Sequence, residues 1–216
     1  MSIKKFLDPA VAALRERKNL VFFFVLTHMV FLFFGEWMVA RGVPGVLGLR
    51  AEMLQEIQEL PFLKPLTGPL AGSLFLKITY TCLFNLIFGA FLTTTVTGLV
   101  FFIPYVMAVW RSFMIGVLFY GLDTSGVEEV VFYGTVVLEF GAYCLSSAVG
   151  TDIGLSILLP GRKKTASRME AALLSLHQGL KLYRLVFLLL LAGAIWEISW
   201  LHYLGPFIKP DQTPLP

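Results

Sequence analysis

The sequence predicts an all-α fold, a polytopic bundle of five transmembrane helices with a cytoplasmic N-terminus. Three observations carry that reading. Five stretches, residues 20–39, 70–93, 99–121, 130–159 and 185–204, are apolar over lengths that suit a helical crossing of about 20 residues. The composition is 57% hydrophobic and only 14% charged, with 20 Phe, far from the balance of a soluble domain. The positive charge is also lopsided. Lys4, Lys5, Arg15, Arg17 and Lys18 precede the first stretch, and Arg162, Lys163, Lys164, Arg168, Lys181 and Arg184 lie between the fourth and fifth. With five crossings these two segments share a side, which the positive-inside rule makes cytoplasmic. The other side receives Arg41, Arg50, Lys64 and Lys209, together with Asp123, Glu128 and Glu129. The chain therefore reads as one integral domain over residues 1–216, expected in the cytoplasmic (inner) membrane. Its net charge of +3 follows from orientation and asks for no nucleic-acid partner.

Taken in order, Asp8-Pro9 reads as a helix start, with Asp as cap and Pro at the first helical position. A basic helix over 10–19 follows, its cations suited to anionic headgroups. The first span is too long for the apolar core of a signal peptide and has no small-residue cleavage site before Arg41, so it is expected to be retained. Pro44, Gly45 and Gly48 then break the chain. Residues 49–60 set Leu49, Met53, Ile57 and Leu60 on one helical face opposite Glu52, Glu56 and Glu59, which predicts an amphipathic outer helix ended by Pro61. Residues 93–98 are the only break between the second and third spans and predict a tight hairpin there. Pro104 is placed to kink the third span. In the fourth span, Gly150, Thr151, Asp152 and Gly154 predict a bend or break near the cytoplasmic end. Gly161 and the cations after it lead into a second amphipathic helix over 168–183. Met169, Leu173, Leu176, Leu180 and Tyr183 form its apolar stripe, with Arg168, Ser175, Gln178 and Lys181 opposite, a pattern expected to lie along the inner leaflet. The Pro-rich tail, 206–216, reads as extended.

Ionisable groups inside the spans are the strongest pointer to function, because each is costly to insert without a partner. Lys77, Arg111, Glu139, Asp152 and Glu197 qualify, with His28 and Glu36 in the first span. Arg111 and Glu139 lie at similar depth on successive helices and are placed to pair; Asn85 offers donor groups to Glu197. Asn85, Arg111, Glu139 and Glu197 thus form a candidate polar centre, either a device for helix registry or the lining of a solute path. Small residues recur four apart in two spans, as Ala108, Ser112 and Gly116 and as Ala142, Ser146, Gly150 and Gly154. Such stripes let backbones approach closely, inside the bundle or at a homodimer face. Cys82 and Cys144 both sit in spans and indicate neither a disulfide framework nor a zinc site. His28, His177 and His202 have no metal-ligand spacing, and no Gly-rich phosphate loop is present. No catalytic activity and no cofactor are expected.

From Asn85 to Gly154, and again at Glu197, the chain resembles the stage II sporulation protein M family of membrane proteins. Phe84-Asn85 matches a Phe-Asn pair in an early span. Gly116 matches a glycine of the next span, where Arg111-Ser112 stand in place of Asn-Gly. Glu139, Ala142, Gly150 and Gly154 match the second part of the family's most distinctive stretch, with Val136 near the histidine position of its Pro-His-Gly. Ala194 and Glu197 match an Ala-rich run with a glutamate in the last span. The resemblance implies an inner-membrane scaffold that holds cell-wall hydrolases. The expected function is accordingly a non-enzymatic scaffold or subunit of an envelope-remodelling complex, in contact with lipids and other envelope proteins. The outer helix over 49–60 and the acidic loop over 123–129 would face those partners. The alternative is a transporter or permease subunit in which the polar centre lines a path.

Overall fold

In a computed structural model of the chain, residues 3–56, 60–121, 126–165 and 167–204 are described. The fold is all-α, 87% helical, with no strand among the described residues. Four helices are long and apolar enough to cross a membrane: α2 (Lys18–Ala40), α5 (Leu74–Leu99), α7 (Gly126–Leu158) and α9 (Tyr183–Leu204). The third apolar stretch forms the shorter α6 (Ile103–Phe119), of 17 residues. The remaining helices are α1 (Ile3–Glu16), α3 (Pro44–Glu56), the single turn α4 (Lys64–Thr67) and α8 (Arg168–Leu180).

Helix α7 is the axis of the bundle and touches every other long helix. Around it run α2, α6, α5 and α9 in an arc of successive neighbours; α1 and α8 fill the space between the two ends of that arc. Burial follows this order. From Phe140 to Gly154 most residues of α7 are buried, whereas the outer sides of its neighbours carry the exposed Phe22, Phe33, Phe75 and Trp110. An apolar exterior of that extent is not a surface for water; it matches hydrocarbon.

Small residues set the closest approaches. A Cβ on Gly116 would overlap the carbonyl oxygen of Leu32, and one on Gly35 would meet the Phe113 oxygen at 2.5 Å, so α2 and α6 cross backbone to backbone. Ala108, Ser112 and Gly116 are buried along this side of α6. Gly150 and Gly154 do the same on α7, where a Cβ would overlap the oxygens of Thr94 and Gly98. Ala142 and Ser146 are fully buried on the same helix, with Thr94 Oγ1 2.8 Å from Ser146 Oγ. All seven stripe residues therefore face partners within the chain.

Several expectations need correction. The break expected within 93–98 lies at Val100–Phe102, because α5 continues as a π-helix over Asn85–Val96 and a 3-10 turn over Thr97–Leu99. Thr93, Thr94 and Thr97 each return a hydroxyl to the carbonyl four residues back, so these polar side chains are satisfied within a continuing helix. Gly150 and Gly154 do not break α7, which runs uninterrupted for 33 residues; their role is close contact. Pro104 kinks nothing, since it occupies the first turn of α6, where its missing N–H costs no bond. Helix α1 starts at Ile3, ahead of Asp8-Pro9, with its early turn held by Arg184, which donates to the Phe6 carbonyl. The outer helix begins at Pro44, before residue 49, with Val46 buried and Leu49 and Met53 half-buried. Ile57, Glu59, Asp123 and the tail over 206–216 lie outside the described residues.

Helix α8 departs in part from its expected orientation: Leu176 and Tyr183 of the predicted apolar stripe pack against the core, and the rest of the stripe does not. Ala171, Ala172, Ser175 and Gly179 are buried against α7, and Met169, Leu173 and Leu180 point outward. Ser175 meets Asp152 and Gly179 meets Val149, so α8 doubles back antiparallel along the last turns of α7. Small residues permit the close packing, and Met169, Leu173 and Leu180 are left for lipid.

Candidate functional site

The bundle end that carries the 41–73 connection encloses a cavity of about 800 Å³. That volume falls in the usual range of small-molecule sites, roughly 300–1,000 Å³. Its walls come from α5, α6, α7 and α9, and aromatic rings dominate them. Phe62 stacks on Phe84 at 5.2 Å between centroids, and Phe119 on Phe132 at 4.0 Å. Tyr80 Oη donates to the Phe62 carbonyl at 2.9 Å, which draws the turn after α3 over the mouth. Trp196 Nε1 donates to the Val131 carbonyl at 3.0 Å and ties α9 to α7 beside the wall. These bonds satisfy the polar atoms of Tyr80 and Trp196.

The polar residues of the lining gather deeper in the bundle. Glu139 lies thirteen residues along α7, about 20 Å from Gly126 at the rise of an α-helix. Asn85 stands where α5 widens into its π-helical stretch, and its Nδ2 donates to Glu139 Oε1 at 2.6 Å. Glu197 projects from α9 into the same space and receives no hydrogen bond from any described residue. Thr81 Oγ1, also on the wall, is buried without a partner. Glu128 and Glu129, in the first turn of α7, line the cavity near its mouth. No Lys, Arg or His is among the lining residues.

Of the four residues expected to form a polar centre, three therefore share the cavity: Asn85, Glu139 and Glu197. Arg111 stands apart. It donates to the Gly89 carbonyl at 3.0 Å and to Thr93 Oγ1 at 3.1 Å, and its guanidinium lies 3.8 Å from the centre of the Tyr143 ring. The expected Arg111–Glu139 ion pair is absent; Tyr143 links them, its ring against the arginine and its hydroxyl toward Glu139. Asn85 likewise serves Glu139 and not Glu197. Glu36 accepts a hydrogen bond from Tyr133 at 3.4 Å. His28 is buried between α2 and α7, with Nδ1 2.8 Å from the Phe24 carbonyl oxygen and 3.6 Å from Cys144 Sγ.

A second polar cluster lies at the opposite end of the bundle. Asp152 Oδ2 accepts from Arg17 Nη2 at 2.9 Å, Lys163 Nζ at 2.9 Å and Ser175 Oγ at 2.6 Å. Lys163 also donates to Gln178 at 3.2 Å, and Arg17 to the Ser175 carbonyl at 3.3 Å. Arg17 and Asp152 are almost wholly buried. The cluster joins the α1–α2 junction, the end of α7, the 3-10 turn over Pro160–Lys163 and α8. Three donors from three elements converge on Asp152 Oδ2, away from the cavity lining, so the role of the cluster is to lock the bundle.

Compared with family models, curated proteins and solved structures, the chain finds no match.

Proposed function

We propose that the chain is a five-crossing protein of the cytoplasmic membrane that takes a small amphipathic ligand into a cavity opening at the outer face, as a transporter or permease subunit does. Helix α6, at 17 residues, is at the lower end of transmembrane lengths and supplies the fifth crossing. The basic segments around Arg15–Lys18 and Arg162–Lys164 then lie together inside. The observation that carries the reading is the cavity of about 800 Å³ with Asn85, Glu139 and Glu197 on its lining. Helix registry is served by the Asn85–Glu139 hydrogen bond; Glu197, on the same lining and without a hydrogen bond from any described residue, is a group kept for a ligand.

A scaffold in an envelope-remodelling complex is the second reading. It is favoured by the collection of Asn85, Glu139 and Glu197, the residues behind the stage II sporulation protein M resemblance, at one place. Native mass spectrometry of the full chain in nanodiscs formed from host membranes separates the two. Under the first reading the wild type carries a bound small molecule, and Thr135→Trp, which fills the cavity from α7, loses it. Stoichiometric recovery of a wall hydrolase or another envelope protein, with no small molecule retained, overturns it in favour of the scaffold.

A further inference from the structure

The lining also defines what the cavity takes. Resting on the reading of the cavity as a ligand site, we infer that its ligand is an amphipathic organic cation, an ammonium or comparable onium group carried on an aromatic or branched apolar body. Charge sets the sign. The carboxyl groups of Glu139 and Glu197 lie at depth, Glu129 lies nearer the mouth, and no cationic side chain lines the space. The neighbouring Arg111 is engaged elsewhere, on Gly89, Thr93 and the face of Tyr143. An anionic ligand would find no Lys, Arg or His on the lining to receive it, and a neutral apolar one would leave the Thr81 hydroxyl buried without a partner.

The walls set the body of the ligand. Phe62, Phe84, Phe119, Phe132 and Trp200 line one enclosure, with Phe62 stacked on Phe84 and Phe119 on Phe132. Aromatic faces attract a weakly hydrated cation and cover its apolar substituents, whereas a small, strongly hydrated metal ion gains little from them. No group of three His, Cys, Asp or Glu side chains among the described residues is arranged to hold a metal ion. Volume sets the size, since about 800 Å³ exceeds what a simple ammonium ion fills.

The test uses two isosteric probes, tetraphenylphosphonium and tetraphenylborate, which differ in the sign of their charge. Equilibrium binding of each is measured on the full chain in nanodiscs, with protein-free nanodiscs subtracted. The inference expects saturable one-to-one binding of tetraphenylphosphonium, no saturable binding of tetraphenylborate, and a loss of about tenfold or more for Glu197→Gln. The wild-type comparison alone decides the sign and needs no variant to fold. Saturable binding of tetraphenylborate, abolished by Thr135→Trp, would overturn the cation while leaving the cavity a ligand site. Unchanged phosphonium affinity in a folded Glu197→Gln would do the same. No saturable binding of either probe overturns the cation and counts against the cavity.

Discussion

Asp152→Ala is expected to destabilise the protein by about 3–5 kcal/mol, the usual consequence of stranding a buried cation. Arg17 is 3% exposed and directs Nη2 at the Asp152 carboxylate from 2.9 Å. Its alternatives are the carbonyls of Ala13 and Ser175 and the exposed Glu16 at 3.6 Å, none of which supplies a charge in the interior. Lys163 is better placed to escape, because its side chain is 16% exposed and a rotamer change takes it to the surface. Removal of Asp152 therefore strands one guanidinium and frees α8 from α7. The midpoint of thermal unfolding in detergent should fall by on the order of 10 °C. The double variant Arg17→Met with Asp152→Leu should recover part of that loss, since it leaves no unpaired charge buried. A single variant as stable as the wild type would show that the cluster contributes nothing to folding.

Gly150→Val is expected to be at least as damaging, through sterics alone. The glycine Cα sits so close to the π-helical part of α5 that any Cβ overlaps the Thr94 carbonyl oxygen, with Thr95 Cα 3.1 Å away. Both obstacles are backbone, and neither has a rotamer to change. Separating α5 from α7 would also break the Thr94–Ser146 and Thr95–Ser146 hydrogen bonds. The cost should exceed the 1–3 kcal/mol of ordinary overpacking, and the variant should fail to give a monodisperse peak on size exclusion. Gly161→Val provides the control: nothing lies within 4 Å of a Cβ there, and its effect should stay within about 0.5 kcal/mol.

The spans were legible because apolar length is a property of the chain itself. Four of the five expected stretches appear as long apolar helices, and the fifth as a shorter one. What the sequence could not supply was rotation, meaning which side of each helix meets which neighbour. Arg17 and Lys163 read as orientation signals, and nothing local distinguishes them from Lys4 or Lys164. Only the return of α8 along α7 brings them to Asp152. Helix α8 shows the same limit. Apolar means buried only when the surroundings are water, and here Ala171, Ala172, Ser175 and Gly179 pack inward while Met169, Leu173 and Leu180 of the apolar stripe face out. A signal was available in the Ala171-Ala172, Ser175 and Gly179 spacing, the same small-residue pattern that was recognised in α6 and α7. Asn85, Glu139 and Glu197 were singled out because each is costly in a span. That they share a cavity, while Arg111 does not, depends on the π-helical widening at Asn85, which no residue pattern announced.

Access to the cavity from the outer face is tested most directly by thiol labelling at two neighbouring positions of α7. In a background with Cys82→Ala and Cys144→Ala, Thr135→Cys places a thiol on the cavity wall, and Val137→Cys places one on the outward side, where the native residue is 70% exposed. A membrane-impermeant methanethiosulfonate reagent added outside intact cells should modify Thr135→Cys and spare Val137→Cys, which faces hydrocarbon. Protection of both positions from outside, or modification of Thr135→Cys only from the cytoplasmic side, would contradict an outward-opening, water-accessible cavity.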